Sequence, residues 1–224
     1  MRAMILAAGR GERMRPLTDA RPKPLLEVGG KPLIQYHLEA LARAGIKDVV
    51  INLAWQGEIV RHALGDGERF GVRICYSEEP EGALETGGGI LAALPLLGPG
   101  PFLAISGDVW TDFPLQSLAR RLASGDVAHF VLVPNPEFHA QGDFGLDGGR
   151  LLDRAPRYTY ANIAVLCAEF FADRQPGRFP LAPLMFEWIR RGRVSGELYR
   201  GRWHNVGTPM QLTQLDTQLR AGGG

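Results

Sequence analysis

The sequence predicts a Rossmann-like α/β fold in which a mostly parallel sheet carries helices on both faces. Short apolar runs bounded by turn residues alternate along the chain with segments of helical period, a pattern typical of repeated strand–helix–strand units. The length of 224 residues suits one large α/β domain, and no internal repeat or low-complexity linker marks a boundary. We therefore expect a single domain over residues 1–224.

The first half of the chain predicts three strand–helix–strand crossovers. Residues 3–7 form an apolar run that we interpret as the first strand. Residues 32–44 predict a helix, because proline is tolerated in a first turn, leucines recur on one side and Gly45 ends the segment. The remaining elements of this half are expected at residues 48–53 (strand), 58–64 (helix), 72–76 (strand), 88–97 (helix) and 102–105 (strand).

The second half of the chain is less regular. Gly, Asp and Pro are frequent between residues 135 and 157, which indicates loops or hairpins of a small inserted lobe placed over a substrate. Around this segment we expect elements at residues 115–123 (helix), 128–133 (strand), 158–166 (strand), 184–190 (helix), near 198 (short strand) and 210–219 (helix).

The charge composition excludes a protein that holds polyanions over a broad surface. Lys and Arg number 25 against 24 acids, a net charge of +1, so no extended positive field exists to bind nucleic acid or an anionic membrane. Positive charge is concentrated instead between residues 10 and 23, in Arg10, Arg13, Arg15, Arg21 and Lys23. We expect this segment to bind a polyphosphate, and the partners to be small molecules.

The cysteines and the amino terminus indicate a cytoplasmic protein. Cys75 and Cys167 lie far apart, without disulfide-framework or zinc-site spacing, so we expect two buried thiols in a reducing compartment. The apolar start of the chain is too short for a signal sequence or a membrane span. We expect no membrane association.

A glycine-rich loop follows the first predicted strand. In LAAGRGERMRP, residues 6–16, Gly9 and Gly11 allow backbone N–H groups to converge on a phosphate. Met14 stands where a dinucleotide fingerprint has its third glycine, and the P-loop pattern is absent. On the two glycines alone, a plain turn is an equal alternative. Lys23, restricted by a proline on each side, favours phosphate binding.

Five stretches resemble motifs of the nucleoside triphosphate:sugar-1-phosphate nucleotidylyltransferases. Residues 6–41 are similar to the family's G-x-G-x-R loop with its following P-K-P element. LETGGG at 84–89 resembles the nucleotide-contacting L-G-T-x-G loop, and SGDVW at 106–110 resembles the G-D motif. ANIAVL at 161–166 resembles a sugar-contacting strand, and WHNVGTP at 203–209 resembles a closing W-x-D-V-G-T-P. The resemblance spans essentially the whole chain.

The resemblance implies that a sugar 1-phosphate oxygen attacks the α-phosphorus of a nucleoside triphosphate and that pyrophosphate leaves. Such a transfer needs positioning and charge neutralisation rather than a nucleophilic side chain. By resemblance, Arg13 holds the β- and γ-phosphates and Lys23 holds the α-phosphate. These two are the predicted catalytic residues. The implied nucleotide-binding set is Ala8, Gly9, Gly11, Glu12, Arg13, Lys23, Glu85, Thr86 and Gly88.

The resemblance also implies a Mg²⁺ site at Asp108 and Asn205. Asp108 follows a buried strand at the edge where open α/β sheets bind ligands, and a carboxylate suits Mg²⁺. Asn205 departs from the family pattern, which has a second carboxylate there. Because an amide oxygen contributes no charge, two hypotheses stand: this chain is a weakened variant, or Asp108 and the substrate phosphates suffice.

On the sugar side, the resemblance implies contacts from Gly107, Gly145, Asn162 and Thr208. The family's usual Glu-Lys-Pro segment is replaced here by GGRLLDRAPRY, residues 148–158, which leaves the identity of the sugar open. A muramic sugar carries a lactyl carboxylate that needs a cation or amide donors. The candidate cations are Arg154, Arg157 and Arg202.

Within the family, the short length, LETGGG and the compact ending resemble the branch that transfers a uridylyl group to N-acetylmuramic acid 1-phosphate in cell-wall recycling. One alternative is a guanylyl- or cytidylyltransferase that acts on a mannose, heptose or glucose 1-phosphate. Another is a noncatalytic nucleotide-sugar-binding domain, to which Asn205 lends weight. The absence of a carboxy-terminal extension favours a monomer.

Overall fold

A nine-stranded sheet forms the centre of the protein. The computed structural model describes residues 1–80, 84–119 and 122–222. The strands within these residues are β1 (Arg2–Leu6), β2 (Glu27–Val28), β3 (Lys31–Pro32), β4 (Asp48–Leu53), β5 (Arg73–Glu78), β6 (Phe102–Ser106), β7 (Val109–Thr111), β8 (Ala128–Val133), β9 (Phe144–Asp147), β10 (Arg150–Leu152), β11 (Arg157–Leu166), β12 (Val194–Leu198) and β13 (Trp203–Asn205).

Along the chain, helices are interspersed with these strands. The α-helices are α1 (Leu17–Ala20), α2 (Leu33–Arg43), α3 (Gly57–Leu64), α4 (Glu85–Leu97), α5 (Ala182–Arg190) and α6 (Pro209–Ala221). Short 3-10 helices lie at Glu12–Met14, Lys23–Leu25, Glu68–Phe70, Leu115–Leu118, Glu137–His139 and Ala168–Phe171. None of the described helices is both long and apolar enough to span a bilayer.

The strand order of the large sheet is β5-β4-β1-β6-β11-β8-β12-β10-β9. The strands β5, β4, β1 and β6 are parallel, whereas β11 runs antiparallel to both of its long neighbours, β6 and β8. The α/β class is therefore confirmed, but the sheet is mixed: the β5 side is parallel throughout, whereas on the other side only β8 and β12 pair in parallel. The hairpin of β9 and β10 is antiparallel because a short turn at Gly148 and Gly149 joins the two strands.

Helices cover both faces of the sheet, as predicted. Alternate residues of β1 enter different cores, because successive side chains of a strand point to opposite faces. Ile5 packs in the core that contains α2 and α3, and Met4 packs in the core that contains α4 and α5. A third, smaller core places Met14 of the glycine-rich segment against Val206 and Leu215 near the carboxyl end.

Several predicted elements differ from the observed ones. β4 and β8 begin and end at the predicted residues, whereas the helix expected at 115–123 is the 3-10 helix Leu115–Leu118, with residues 120 and 121 outside the described ranges. The short pair β7–β13 was not predicted. The expectation of two buried thiols is wrong, since the free Cys75 is exposed and the free Cys167 is half-buried.

The parallel half of the sheet determines where a site can form. Parallel strands present their carboxyl ends at one edge, where open α/β sheets bind ligands. At this edge the glycine-rich loop leaves β1, the turn with Asp108 leaves β6, and β4 ends beside them. The sequence motifs therefore meet here although they are distant along the chain.

Candidate active site

A cavity of about 580 Å³, called the first cavity below, opens at the carboxyl edge of β1, β4 and β6. Most of the predicted nucleotide and metal residues line it, together with Asn52, Glu79, Ser106 and Gly207. The predicted residues among its lining are Ala8, Gly9, Gly11, Glu12, Arg13, Lys23, Glu85, Thr86, Gly107 and Asp108. The two predicted cationic residues thus share one cavity.

Gly11 gives the glycine-rich loop its shape. Its φ of 66° is in the left-handed region, and a Cβ there would lie 2.9 Å from Cγ2 of Thr18, so the position requires glycine. The Gly11 carbonyl accepts hydrogen bonds from the Met14 N–H and from the Thr18 hydroxyl, both at 2.8 Å. These bonds fold the chain into the 3-10 helix that carries Arg13.

Lys23 and Asp108 form an ion pair inside the first cavity. The Lys23 Nζ atom lies 2.6 Å from Oδ2 of Asp108, and the lysine side chain is 11% exposed. The second carboxylate oxygen accepts a hydrogen bond from the Ser106 hydroxyl at 2.8 Å. Burial alone raises the pKa of Asp108, but the charge and hydrogen bonds of Lys23 and Ser106 outweigh it and hold that pKa below its usual value.

Arg13 stands next to the closing VGTP segment. A Cβ on Gly207 would lie 3.6 Å from Nη2 of Arg13, which is ordinary van der Waals contact, so the guanidinium lies directly beside this glycine. Arg13 is exposed and lines two cavities. No described residue forms a hydrogen bond or ion pair with its guanidinium, which leaves the planar donor set free for an incoming anion.

A second cavity of about 670 Å³ adjoins the first. The two share five lining residues, which are Leu6, Arg13, Glu85, Thr86 and Ser106. The second cavity is walled by β11, by the start of β9 and by the amino-terminal part of α5, and the predicted sugar residue Asn162 and metal residue Asn205 line it. A ligand in one cavity therefore meets a ligand in the other at Arg13 and Thr86.

Asn162 sits at an irregularity in β11. The pairing of β11 with β8 shifts register between Tyr160 and Ala164, and Asn162 has a φ of 57°. Such bulges re-aim a side chain, and asparagine tolerates the left-handed region better than most residues. The backbone thus turns Asn162 into the second cavity. Trp203 supports this segment by donating from Nε1 to the neighbouring Ala161 carbonyl at 3.0 Å.

Two functional candidates, Asn52 and Glu79, were missed by the sequence reasoning. Asn52 Oδ1 accepts from the Ala7 N–H at 2.8 Å, and Asn52 Nδ2 donates to Glu79 Oε1 at 2.6 Å. Glu79 Oε2 accepts from the Leu84 N–H at 2.7 Å. Both side chains are buried, so this relay connects the loop after β1 with the start of α4 across the first cavity.

The three glycines of LETGGG are needed for close packing. The N–H groups of Gly87 and Gly88 both donate to the Phe179 carbonyl at 3.1 Å. A Cβ on Gly88 would overlap the Gly177 carbonyl oxygen, and a Cβ on Gly89 would overlap Oε1 of Glu79. Gly88 lines neither cavity, so only Glu85 and Thr86 of this motif face the site.

Two predicted sugar residues also lie away from both cavities. Gly145 packs in β9, where a Cβ would overlap the carbonyl oxygen of Arg154. Thr208 caps α6, and its hydroxyl accepts from the Gln211 N–H at 3.3 Å. Neither Gly145 nor Thr208 is among the described lining residues, so their sugar contacts stay predictions.

The unpredicted pair β7–β13 brings the backbones of Asp108 and Asn205 together, although Asp108 lines the first cavity and Asn205 lines the second. Asn205 pairs with Val109, and the Val206 N–H donates to the Asp108 carbonyl at 2.8 Å. Within the described residues no group of three Asp, Glu, His or Cys side chains is arranged for a metal ion. One carboxylate and one amide oxygen fit Mg²⁺, which usually takes one or two protein oxygens and completes its shell with water and substrate phosphates.

Comparisons with known proteins show which family this chain belongs to. A family model described as nucleotidyl transferase matches residues 2–146. The chain belongs to the nucleotidyl transferase family. It is 46% identical to a protein of Neisseria meningitidis serogroup B over 96% of both chains, and 36% identical to one of Caulobacter vibrioides over 97% and 96%. Both relatives are named N-acetylmuramate alpha-1-phosphate uridylyltransferase.

A solved structure shows that the nucleotidyl transferase fold extends over the rest of the chain. That structure, from Bacillus anthracis and described as a "Putative Glucose-1-Phosphate Thymidylyltransferase", superposes with a TM-score of 0.86. The superposition covers 98% of this chain and 95% of the Bacillus anthracis chain, and the two sequences are 21% identical. The family match ends at residue 146, so Asn162 and Asn205 lie beyond it, in the part that the full-length relatives cover.

The three arginines considered for a sugar carboxylate do not line the second cavity. In this nucleotidyl transferase, Arg154 pairs with Asp147 at 3.7 Å and Arg157 pairs with Asp153 at 3.1 Å. Arg202 stacks over the Trp110 ring at 4.8 Å. Each guanidinium therefore has another partner, and none of these partners lines the second cavity.

Proposed function

We propose that this chain transfers the uridylyl group of UTP to N-acetylmuramate α-1-phosphate and releases pyrophosphate. The names of the two full-length relatives support this substrate pair. The observation that carries the proposal is the convergence of Arg13, Lys23 and Asp108 on one cavity that adjoins a second one lined by Asn162. We assign UTP to the first cavity and the sugar to the second.

The protein's contribution to this reaction is electrostatic. An oxygen of the sugar phosphate bonds to the α-phosphorus, and the bond from that phosphorus to the bridging oxygen breaks, so that negative charge builds up on the leaving pyrophosphate. The free guanidinium of Arg13 holds the β- and γ-phosphates through paired N–H donors. Lys23 contacts the α-phosphate, where charge is shared between the incoming and leaving oxygens.

Asp108 prepares Lys23 for this task. The 2.6 Å ion pair holds the ammonium inside the cavity before substrate binds, so little reorganisation is needed when the phosphates arrive. Mg²⁺ bound by Asp108 and Asn205 would supply further charge neutralisation at the phosphates. The aspartate thus serves both as the partner of Lys23 and as the anionic ligand for the ion.

The Asn52–Glu79 relay positions the nucleotide. It joins Ala7, next to the glycine-rich loop, to Leu84, next to Glu85 and Thr86. Since these segments form opposite walls of the first cavity, the relay sets the width available to the base.

On the sugar side, Asn162 offers an amide to hydroxyl or acetamido groups. The cytoplasmic location and the monomeric state stay predictions.

A substrate panel tests the proposed function. The purified protein is incubated with Mg²⁺, each of UTP, GTP, CTP, ATP and dTTP, and the 1-phosphates of N-acetylmuramate, N-acetylglucosamine, mannose and glucose. Pyrophosphate release and product mass are measured, with Lys23→Met as the inactive control. We expect the highest kcat/KM for UTP with N-acetylmuramate 1-phosphate. A higher value for a guanosine or cytidine pair would overturn the assignment.

The panel also addresses the noncatalytic alternative. A nucleotide-sugar-binding domain would bind UTP in a calorimeter but release no pyrophosphate with any sugar. Because Asn205 is the residue that favours this alternative, the Asn205→Asp variant is assayed in parallel. Turnover by the unmodified chain rejects it.

A further inference from the structure

The second cavity contains few groups that can oppose a negative charge. Among its described lining residues, only Arg13 and His139 can carry positive charge. Arg13 lies at the junction with the first cavity, where the phosphates are assigned. Of the two acids in the lining, Glu85 is paired with Arg178 at 3.0 Å and Asp143 is paired with His139. Away from the phosphates, His139 is therefore the only described lining residue of this cavity that can carry positive charge.

His139 is oriented by a short chain of hydrogen bonds. Its Nε2 atom lies 3.0 Å from Oδ1 of Asp143, and Oδ2 of Asp143 accepts from the Tyr160 N–H of β11 at 2.8 Å. Asp143 thus fixes the orientation of the ring. The other ring nitrogen, Nδ1, has no hydrogen bond to any described residue, and the side chain is 39% exposed. The Nδ1 atom is consequently left for a ligand.

The turn that carries His139 is held firmly. Asn135 Nδ2 donates to the carbonyls of Ala140 and Arg157, each at 3.0 Å, and Asn135 Oδ1 accepts from the Thr159 hydroxyl at 2.9 Å. The 3-10 helix Glu137–His139 is thereby tied to β11, the strand that also carries Asn162. His139 and Asn162 are presented to the same cavity by one connected segment.

We propose that His139, held by Asp143, forms a subsite for the carboxylate of an acidic sugar 1-phosphate. The inference rests on the proposed function, because N-acetylmuramate is N-acetylglucosamine with an added lactyl ether that ends in a carboxylate. A carboxylate that enters a half-enclosed cavity loses hydration and requires a charge-assisted hydrogen bond in return. His139 supplies that bond through Nδ1–H, while Asp143 balances the imidazolium when the subsite is empty.

The test compares two substrates that differ only by the lactyl group. The kcat/KM values for N-acetylmuramate 1-phosphate and N-acetylglucosamine 1-phosphate are measured at saturating UTP for the unmodified protein, His139→Ala and His139→Gln. His62→Ala, at an exposed histidine of α3, is the matched control. Thermal unfolding of each variant confirms that it is folded.

We expect His139→Ala to lower kcat/KM for the acidic substrate at least about tenfold, mainly through KM, and to change the value for the neutral substrate less than about twofold. His139→Gln is expected to lower kcat/KM for the acidic substrate selectively as well, but to a smaller extent. Equal losses for both substrates, or none, would overturn the subsite while leaving the proposed function intact. If the unmodified protein shows no preference for the acidic substrate, the subsite and the proposed function both fail.

Discussion

The two cavities are lined by different kinds of residue. The first is lined by a glycine-rich loop and by the charged groups Arg13, Lys23 and Asp108, which come from the ends of parallel strands. The second is lined mainly by aromatic and aliphatic side chains such as Phe144, Met185 and Phe186. Phosphates require charge and backbone donors, whereas a sugar is selected by shape and a few polar groups. Under the proposed function, the site separates the chemistry of transfer from the choice of acceptor.

Lys23→Met should cause the largest loss of activity. It removes the charge at the α-phosphate and leaves the Asp108 carboxylate without its cation, so we expect kcat to fall about 10³-fold. Steady-state kinetics with both substrates measures the effect. Lys47→Met, at an exposed lysine, is the matched control and should retain full activity. A loss of less than tenfold in Lys23→Met would show that transfer does not depend on this charge.

Arg13→Ala should lower kcat/KM for UTP by about 10²- to 10³-fold, because the free guanidinium is the predicted holder of the leaving phosphates. Arg15 provides a close control, since it lies two residues away, is exposed and pairs with Asp19 at 3.2 Å. We expect Arg15→Ala to stay within about twofold of the unmodified protein. Similar losses in both variants would mean that only the general positive charge of the segment matters.

His37 is buried and interacts with Ser106 and Asp108, which line the first cavity. It should make the stability of the protein depend on pH. Burial lowers its pKa to about 4, although backbone hydrogen bonds with Val109 and Ser106 and the charge of Asp108 act in the opposite direction. Between pH 6.5 and 4 the unfolded chain therefore binds the proton more tightly. As the pH is lowered across this window, the free energy of unfolding should decrease, and His37 should account for about 3 kcal/mol of that decrease.

Urea unfolding without added metal, at several pH values between 7 and 4, measures this contribution. His37→Gln should show a shallower loss of stability than the unmodified protein. His62→Gln, at an exposed histidine, should follow the unmodified protein. Identical slopes for all three proteins would contradict the assignment of the acid-sensitive group to His37.

Gly88→Ala tests whether the glycines of α4 act through packing. Its Cβ would overlap the Gly177 carbonyl oxygen, so we expect a loss of about 1–3 kcal/mol in the free energy of unfolding. At Gly100 a Cβ meets nothing within 4 Å, and Gly100→Ala should change stability by less than about 0.5 kcal/mol. Denaturant titration compares the two. A stable Gly88→Ala with weak UTP binding would instead support direct nucleotide contact.

Asn205→Asp should have the smallest effect and sharpens the metal assignment. A second carboxylate beside Asp108 should lower the Mg²⁺ concentration for half-maximal activity about threefold to tenfold, because it adds charge to the ligand set. Calorimetric titration of Mg²⁺ in the presence of a nonreactive UTP analogue gives an independent affinity. An unchanged Mg²⁺ dependence would show that Asp108 and the phosphates suffice.

The parts of the protein that were predictable from sequence are those with local signals. β4 and β8 are mostly apolar runs, and Arg13, Lys23 and Asp108 stand in linear motifs. The start of α4 at Glu85 lies three residues before the predicted one. Glu85 has a φ of 58° and three glycines follow it, a composition typical of a loop. Contacts with residues outside the helix, among them the Phe179 carbonyl and the Glu79 carboxylate, hold the start of the helix in place.

The missed groups depend on contacts between distant segments. Asn52 and Glu79 lie on neighbouring strands or just beyond them, and their hydrogen bond forms because β4 and β5 pair in parallel with Leu53 opposite Glu78. A polar residue at the end of a buried strand was the available signal at Asn52. The role of His139 likewise depends on a turn that only the tertiary structure places beside Asn162.

The structure of the protein with Mg²⁺, a nonreactive UTP analogue and N-acetylmuramate 1-phosphate tests the division between the cavities most directly. The account predicts the triphosphate within hydrogen-bond distance of Arg13 and Lys23 in the first cavity. It predicts the sugar ring beside Asn162 in the second cavity, with the lactyl carboxylate at His139. A triphosphate bound away from Arg13 and Lys23, or a sugar ring outside the second cavity, would contradict it.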